Sequence, residues 1–294
     1  MINFADRNLT ILNITHCDLD GSVAGIVVKR FYVNTTTYVT NYNRVEETLT
    51  YLNIVKNNID AVVFTDFSPK EYFEEFKALN IPFLVLDHHE SALPINNPKE
   101  GIIINQKFCG AKLAYLYYVR YAPELKCLEE LVNLADDYDM WHMKDPRSRY
   151  YNTLHWCYYG FDEFYERFKT GDITLNEWEK GELLKAKQCF KEVWDNLPLT
   201  DLPHKGCLVE VSTLLSEISI ELEKLGYKYF IMYNPVTDKL HFRSRTDEIN
   251  FVDITAKLGR GGGHRQAASC SCLPSELKPL VEKILSILDD VYKN

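Results

Sequence analysis

The sequence predicts an α/β fold in two parts: a larger N-terminal part with a mostly parallel sheet flanked by helices, and a smaller C-terminal α/β part. Up to about residue 105, short apolar runs rich in β-branched residues alternate with segments of helical periodicity. This alternation is typical of parallel strands joined by helices that cover both faces of a sheet. A second α/β pattern begins near residue 205, after a mainly helical stretch. We therefore expect two α/β domains.

The N-terminal part contains strand-like and helix-like segments in alternation. The strand-like segments are residues 9–15, 35–40, 61–65, 82–86 and 101–105, and the helical ones are residues 22–32, 44–57 and 68–80. Apolar residues recur at core spacing in the second helical segment, at Val45, Leu49 and Leu52. The third helical segment begins at Ser68 and Pro69, a helix N-cap followed by a proline at the first helical position.

The remainder of the chain is first helical and then mixed. The helical segments are residues 111–121, 124–138, 161–168 and 175–194. After Pro198 and Pro203 come strands at 207–211, 229–233 and 239–245 and helices at 214–225, 252–258 and 275–292. We therefore expect a first domain over residues 1–174, a helical linker over 175–204 and a second domain over 205–294.

The composition of the chain argues against several classes of function. The 33 Lys and Arg residues against 42 Asp and Glu give a net charge of -9, which argues against sequence-independent binding to long duplex nucleic acid. No apolar run approaches the about 18 residues of a membrane span, and the N-terminus lacks the pattern of a signal peptide. The eight cysteines form no CxxC pair, so we expect reduced thiols and a cytoplasmic protein.

Potential metal ligands follow three of the predicted strands, at the point where each strand ends. They are His16, Asp18 and Asp20 after the first strand, Asp66 after the third, and Asp87, His88 and His89 after the fourth. Because the carboxyl ends of parallel strands meet along one crevice, we expect these side chains to converge. Aspartate and histidine without cysteine suit Mn²⁺ or Mg²⁺. The alternative interpretation is that each aspartate forms a turn or caps a helix.

A glycine-rich, basic segment lies near the C-terminus. It consists of Gly261, Gly262, Gly263, His264 and Arg265. Adjacent glycines let backbone N–H groups approach an anion, and these two basic residues, with Arg243 from the preceding strand, would add charge-assisted hydrogen bonds. The alternative is a helix C-cap followed by a flexible turn.

Taken in order, these motifs resemble those of a known superfamily. The strings HCDLDG (16–21), FTD (64–66), LDHH (86–89) and LAD (134–136) resemble the four motifs of the DHH phosphoesterases. The strings FRSR (242–245) and GGGHRQAA (261–268) resemble the DHHA1 domain that accompanies them. The resemblance implies an N-terminal DHH catalytic domain and a C-terminal DHHA1 substrate-binding domain.

The resemblance also implies a site with two Mn²⁺ ions, for which Mg²⁺ is the alternative. One ion would be held by His16, Asp18 and Asp66, and the second by Asp20, Asp66, His88 and Asp136, with Asp66 bridging. His89 would polarise the phosphoryl group or assist the leaving oxygen, and Asp87 would orient a histidine. His16 precedes Asp18 by two residues rather than four as in many members, so its role as a direct ligand stays open. Asp139 is the alternative to Asp136.

By this resemblance we expect a two-metal phosphodiesterase that hydrolyses short single-stranded RNA or DNA from an end, releasing mononucleotides, as small oligoribonucleases and the related RecJ exonucleases do. The arginine and glycine cluster would grip the terminal nucleotide. The alternatives are a cyclic dinucleotide phosphodiesterase, a phosphatase acting on 3′-phosphoadenosine 5′-phosphate, and a non-catalytic nucleotide-binding module. The choice between RNA and DNA, the direction of cleavage and the oligomeric state stay open.

Overall fold

The computed structural model describes residues 2–158, 160–244, 246 and 248–293, apart from the side chains of Glu71 and His264. The chain divides into two compact units, residues 1–184 and 185–294. No helix within the described ranges is long and apolar enough to cross a membrane.

The first unit is built on a parallel sheet of five strands. They are β1 (Thr10–His16), β2 (Asn34–Thr40), β3 (Ala61–Thr65), β4 (Phe83–Asp87) and β5 (Ile102–Ile104), in the spatial order β2-β1-β3-β4-β5. Every pairing in this sheet is parallel. The chain direction across the sheet reverses between β1 and β3, and ligands bind at such switch points in open α/β sheets.

Helices cover both faces of this sheet. The helices of this unit are α1 (Leu19–Phe31), α2 (Val45–Val55), α3 (Phe73–Ala78), α4 (Gly110–Tyr118), α5 (Glu129–Asp139), α6 (Pro146–Cys157) and α7 (Gly160–Phe168), and α8 (Glu177–Asp195) begins in this unit and ends in the second. Neighbouring strand residues point to opposite faces: Ile11 packs in the core that contains α1, α4 and α5, and Leu12 packs in the core that contains α2 and α3.

The second unit contains a mixed sheet of six strands and three helices. The strands are β6 (Leu199–Leu202), β7 (Gly206–Glu210), β8 (Tyr229–Asn234), β9 (Lys239–Ser244), β10 (Gly262–His264) and β11 (Ala267–Ser271), and the helices are α9 (Leu215–Lys224), α10 (Phe251–Leu258) and α11 (Leu277–Lys293). The spatial order is β10-β11-β9-β8-β7-β6. One face packs on α10 and α11, and the other packs on α9 and on Phe190, Val193 and Trp194 of α8.

The predicted fold class, a parallel sheet flanked by helices followed by a smaller α/β part, is confirmed. Two local differences have physical reasons. Residues 199–202, inside the predicted linker, form the edge strand β6 because they pair antiparallel with β7. The predicted helix over 68–80 is shortened to α3, since Lys70 has a positive φ of 31° that an α-helix does not allow.

A buried ion pair fixes the end of the first unit. The Glu179 carboxylate is fully buried and accepts from Arg167 Nε at 2.7 Å, Arg167 Nη2 at 3.0 Å, Tyr158 Oη at 2.5 Å and Asn176 N at 2.7 Å. Burial alone would raise the pKa of Glu179, but the hydrogen bonds from Arg167 and Tyr158 outweigh it and lower the pKa below its usual value. The pair thus ties α7 to the start of α8.

We expect Glu179→Gln to destabilise the chain by about 3 kcal/mol, because it removes the buried carboxylate that neutralises the partly buried Arg167 side chain. Urea unfolding followed by tryptophan fluorescence measures the change. The control is Glu177→Gln, whose exposed pair with Lys180 contributes little. Since the folded pKa lies below the unfolded one, the Glu179 contribution is complete above about pH 4.5 and is lost as the pH falls through the folded pKa. Equal stability of the two variants would contradict the role of the pair.

Candidate metal centre

The end of β1 and the turn after it hold the first two candidate ligands, His16 and Asp18. Asp18 caps α1: one carboxylate oxygen accepts from Gly21 N at 2.9 Å, and the other lies 2.7 Å from His16 Nδ1. A Cβ on Gly21 would lie 2.2 Å from the His16 carbonyl oxygen, so glycine is required for the turn to close. The same turn therefore caps α1 and positions the Asp18 carboxylate beside His16.

Asp66 follows β3 directly and lies at the middle of the site. Its side chain is 2% exposed, and its φ of 50° is in the left-handed region, where aspartate is one of the better tolerated residues. A Cβ on Gly110 would lie 2.5 Å from Asp66 Cβ, so Gly110 lets the start of α4 lie against this strained residue. Asp66 Oδ2 is 3.9 Å from His16 Nδ1 and Asp66 Oδ1 is 3.1 Å from His88 Nε2.

Asp20 binds the N-terminus of α4. Its two oxygens accept from Gly110 N and Ala111 N, both at 2.7 Å. These N–H groups have no partner within the helix, and the positive end of the helix dipole favours a carboxylate there. Asp20 Oδ2 also lies 3.7 Å from His88 Nε2, so the same carboxylate joins α4 to the histidine after β4.

Asp87, the last residue of β4, and the two histidines that follow it make different contacts. Asp87 Oδ1 accepts from His88 N at 2.8 Å and lies 2.7 Å from His89 Nδ1. Because a carboxylate only accepts, Nδ1 of His89 donates, and a proton exchanged by this ring would be carried on Nε2. Asp87 therefore orients His89, while His88 Nε2 points to the carboxylates of Asp20, Asp66 and Asp139.

The structure brings Asp139 to the site and Asp136 to a different partner. Asp139 Oδ2 lies 3.3 Å from His88 Nε2. Asp136 Oδ1 instead accepts from Cys109 N at 2.9 Å, the residue before α4. The arrangement therefore points to Asp139 in place of Asp136, because α5 continues to Asp139 and presents that carboxylate one turn further on.

Three sets of side chains have ligand atoms within 4.8 Å of one another. They are Asp66 with Asp87, His88 and His89; His16 with Asp18 and Asp66; and Asp20 with His88 and Asp139. Asp66 and His88 each belong to two sets. A residue that bridges two metal ions would have to be shared between two sets in this way.

The electrostatics of the cluster favour bound cations. Burial, followed by the neighbouring carboxylates, raises the pKa of Asp66 well above its usual value. Burial also raises the pKa of Asp139 and of Asp20, against the opposing effect of His88. Asp18 and Asp87 differ: burial would raise the pKa of each, but His16 and His89, respectively, lower it well below its usual range.

The donor set fits the two divalent ions that the sequence indicates. Asp66 Oδ2 is a buried oxygen without a hydrogen-bond partner among the described residues, and a buried acceptor without a donor is costly unless a cation binds it. The ligand atoms of the three sets are carboxylate oxygens and imidazole nitrogens, the types that Mn²⁺ accepts and Mg²⁺ in part.

The basic segment forms part of the sheet in the second unit. Arg243 on β9 pairs with Ala267 on β11, which pairs with His264 on β10. Gly261 and Gly263 have φ of 90° and 144°, and a Cβ on either would strike the β11 backbone. A Cβ on Gly262 would meet nothing within 4 Å. The structure thus places Gly262 and Gly263 on β10 and Arg243 on β9, with β11 between these strands. Gly261 directly precedes β10 and Arg265 lies in the turn that follows it, while the side chain of His264 lies outside the described residues.

Tyr42 is a site neighbour that the sequence reasoning missed. Its ring lies 5.5 Å from the His89 ring and 6.0 Å from the His16 ring, measured between centroids, and stacks on Phe67. Tyr42 follows the carboxyl end of β2. Because β2 is parallel to β1 and lies beside it, this end reaches the same edge of the sheet as the candidate ligands.

No protein-family model matches the chain. A 3′,5′-cyclic-nucleotide phosphodiesterase of Helicobacter pylori is 24% identical over 153 residues, which cover 45% of this chain and 44% of that protein. The match therefore spans less than half the length of this curated relative.

Solved structures match over nearly the whole chain. The DHH domain of a member of a family of ribosomal proteins has a TM-score of 0.68 and 14% identity, over 97% of this chain and 87% of that one. The fold is that of the DHH-domain proteins. Thermus thermophilus RecJ in complex with Mn²⁺ has a TM-score of 0.63 and 15% identity, over 94% of this chain and 51% of that one. A pGpG-specific phosphodiesterase from Vibrio cholerae has a TM-score of 0.58 and 14% identity, over 95% and 99%. The DHH resemblance of the motifs is thereby confirmed at the level of the fold.

We expect Asp139→Asn to weaken Mn²⁺ binding at least about tenfold, whereas Asp136→Asn changes it less than about threefold. Even the loss of a residue that only supports a ligand costs about 10- to 100-fold in metal affinity, and asparagine at 136 keeps an acceptor for Cys109 N. The Mn²⁺-dependent rise in melting temperature, titrated for both variants, reports the affinity. A larger loss for Asp136→Asn would return the ligand role to Asp136.

Proposed function

We propose that the chain is a two-metal phosphodiesterase that hydrolyses short single-stranded oligonucleotides from an end, releasing mononucleotides. The observation that carries the proposal is the convergence of ligands from the ends of β1, β3 and β4 on the buried carboxylate of Asp66. Acidic and imidazole groups gathered at a switch point of a parallel sheet are typical of metal-assisted hydrolysis of phosphate esters.

In this proposal two of the three sets would each hold one ion. His16, Asp18 and Asp66 would hold the first, and Asp20, His88 and Asp139 would hold the second, with Asp66 as a proposed shared ligand. Bound ions of this kind supply the positive charge that acidifies a water and neutralises a phosphoryl oxygen. RecJ structures with Mn²⁺ and with Mg²⁺ support either ion, and we propose Mn²⁺ because imidazole nitrogens take part.

The remaining residues position the proton and the substrate. Asp87 fixes the ring of His89 by accepting from Nδ1, which makes Nε2 the nitrogen that donates a proton to the phosphoryl or leaving oxygen. Tyr42 packs against the same ring and limits its rotation. In the second unit, Arg243, Arg265 and the backbone N–H groups of residues 261–263 bind the terminal phosphate, with His264 as a further proposed contact.

The class of substrate follows from charge. A chain with a net charge of -9 does not hold long duplexes through a general positive field, so a short anion bound by metal ions and a few arginines fits better. The eight free cysteines support a reducing, cytoplasmic location. A non-catalytic binding module is less favoured, because each of the four motifs keeps its acidic residues.

A second candidate is a phosphodiesterase for cyclic or linear dinucleotides. The names of the Helicobacter pylori relative and the Vibrio cholerae structure, a cyclic-nucleotide and a pGpG-specific phosphodiesterase, favour it. Both candidates use the same metal centre and differ in the length and the ends of the substrate, as does a 3′-phosphoadenosine 5′-phosphate phosphatase.

The deciding experiment compares product release from end-labelled RNA and DNA of two to twelve nucleotides, cyclic dinucleotides and 3′-phosphoadenosine 5′-phosphate, with Mn²⁺ or EDTA. We expect Mn²⁺-dependent release of mononucleotides. Asp66→Asn is expected to lower kcat/KM by about a thousandfold, because several kcal/mol of stabilisation by two ions is lost.

The matched control is Asp60→Asn. Asp60 precedes β3 at the opposite edge of the sheet and accepts from Thr10 N, and asparagine keeps that bond. Cleavage that persists in EDTA, or in Asp66→Asn within tenfold of the unaltered chain, would contradict the proposal. Turnover of cyclic dinucleotides alone would select the second candidate.

A further inference from the structure

Within the described residues of the second unit, the apolar core on one face of the sheet is built on β7 and β8. Phe230 and Met232 on β8 point to the face that packs on α9. The cross-strand partners of these residues on β9 are Arg243 and His241, which therefore share that face. Leu240 and Phe242 point to the other face and are buried against α10 and α11. Beyond β8, then, the α9 face of the sheet carries polar side chains.

These polar positions form a basic row beside small residues. Lys239, His241 and Arg243 alternate along β9. Opposite them on β11 stand Ser271, Ser269 and Ala267, and opposite Ser269 on β10 stands Gly262. None of these positions carries an acidic side chain, and open space lies above Gly262. The surface is a shallow platform with positive charge along one strand.

Two cations, Lys239 and Arg243, flank His241 in this row. Burial, then Arg243 and then Lys239 lower the pKa of His241 to about 4, so both cations lie close to its ring. Lys239 forms no ion pair with a carboxylate of the described residues. In a chain with a net charge of -9, a lysine that forms no ion pair within the described residues and lies beside small residues is suited to an external anion.

The spacing suits a polyanion that lies along the strand. Residues two apart on a strand are separated by about 6.6–6.8 Å, so β9 presents regularly spaced polar groups from Arg243 to Lys239. Single-stranded nucleic acid binds to positively charged tracks of this kind through its backbone. A lone phosphate would need the Arg243 end only.

We propose that Lys239 and His241 form a second anion-binding subsite. It binds one phosphate in addition to the phosphate bound by Arg243 and the glycine segment. The inference rests on the proposed function, in which the Arg243 end binds the terminal phosphate. Lys239 lies four residues from Arg243 on β9, about 13 Å along the strand, so a strand with phosphates at both positions spans at least three nucleotides. The chain therefore binds oligonucleotides of three or more nucleotides better than dinucleotides.

The test measures binding and does not depend on hydrolysis. The full chain is titrated in EDTA with di-, tri- and pentanucleotides that carry one 2-aminopurine base, at several KCl concentrations. For the unaltered chain we expect the pentanucleotide to bind at least about fivefold more tightly than the dinucleotide. Lys239→Gln is expected to remove most of this ratio and to lower the salt slope of pentanucleotide binding by about 0.7, the value for one phosphate contact on a single strand.

Two variants control for loss of structure and of net charge. Lys239→Arg keeps the charge and is expected to keep the length ratio. Lys283→Gln removes a charge from α11, which packs on the opposite face of the sheet, and is expected to change neither ratio nor slope. Equal affinity for all lengths, an unchanged slope in Lys239→Gln, or an equal effect of Lys283→Gln would each overturn the subsite.

Hydrolysis of the dinucleotide with Mn²⁺ is measured in parallel. This measurement distinguishes a failure of the subsite proposal from a failure of the proposed function. A chain that shows the length-dependent binding but cleaves nothing supports the subsite and contradicts the enzyme. A chain that cleaves the dinucleotide and binds all lengths equally supports the enzyme and overturns the subsite.

Discussion

The first unit depends on keeping several carboxylates close together away from water. Asp20 and Asp66 are each about 1% exposed, and a cluster of buried like charges opposes folding unless cations or donors compensate it. Part of the compensation is local, since the α4 N-terminus donates to Asp20 and His16 pairs with Asp18. The Asp66 oxygen without a donor is left for a metal ion. We therefore expect a bound cation to stabilise the site.

This constraint explains choices of sequence elsewhere in the unit. Gly21 and Gly110 have no room for a Cβ because the backbone of His16 and of Asp66 occupies that space. The positive φ of Asp66 costs on the order of 1 kcal/mol or more and persists because β3, α4 and the β4 histidines surround it. The scaffold therefore stores strain at the residue that the proposed ions share, and metal binding would offset it.

Much of the fold could be predicted from the sequence, because apolar periodicity and turn residues act over short distances. The same is true of the convergence of Asp18, Asp66 and His88, since parallel strands must end at one edge. The sequence could not decide between Asp136 and Asp139. Residues three apart on a helix share a face, and only tertiary packing decides which one reaches His88. The packing of Tyr42 on His89 and the pairing of β6 with β7 likewise depend on contacts distant in sequence.

The most direct measurement of a shared Asp66 carboxylate is Mn²⁺ titration of the full chain followed by electron paramagnetic resonance. Two ions bridged by one carboxylate at about 3.5–4 Å are spin-coupled, so the free-ion signal should disappear up to two equivalents and a coupled spectrum should replace it. Saturation at one equivalent, or two equivalents with the spectrum of isolated ions, would contradict the two-ion arrangement on which the proposed chemistry rests.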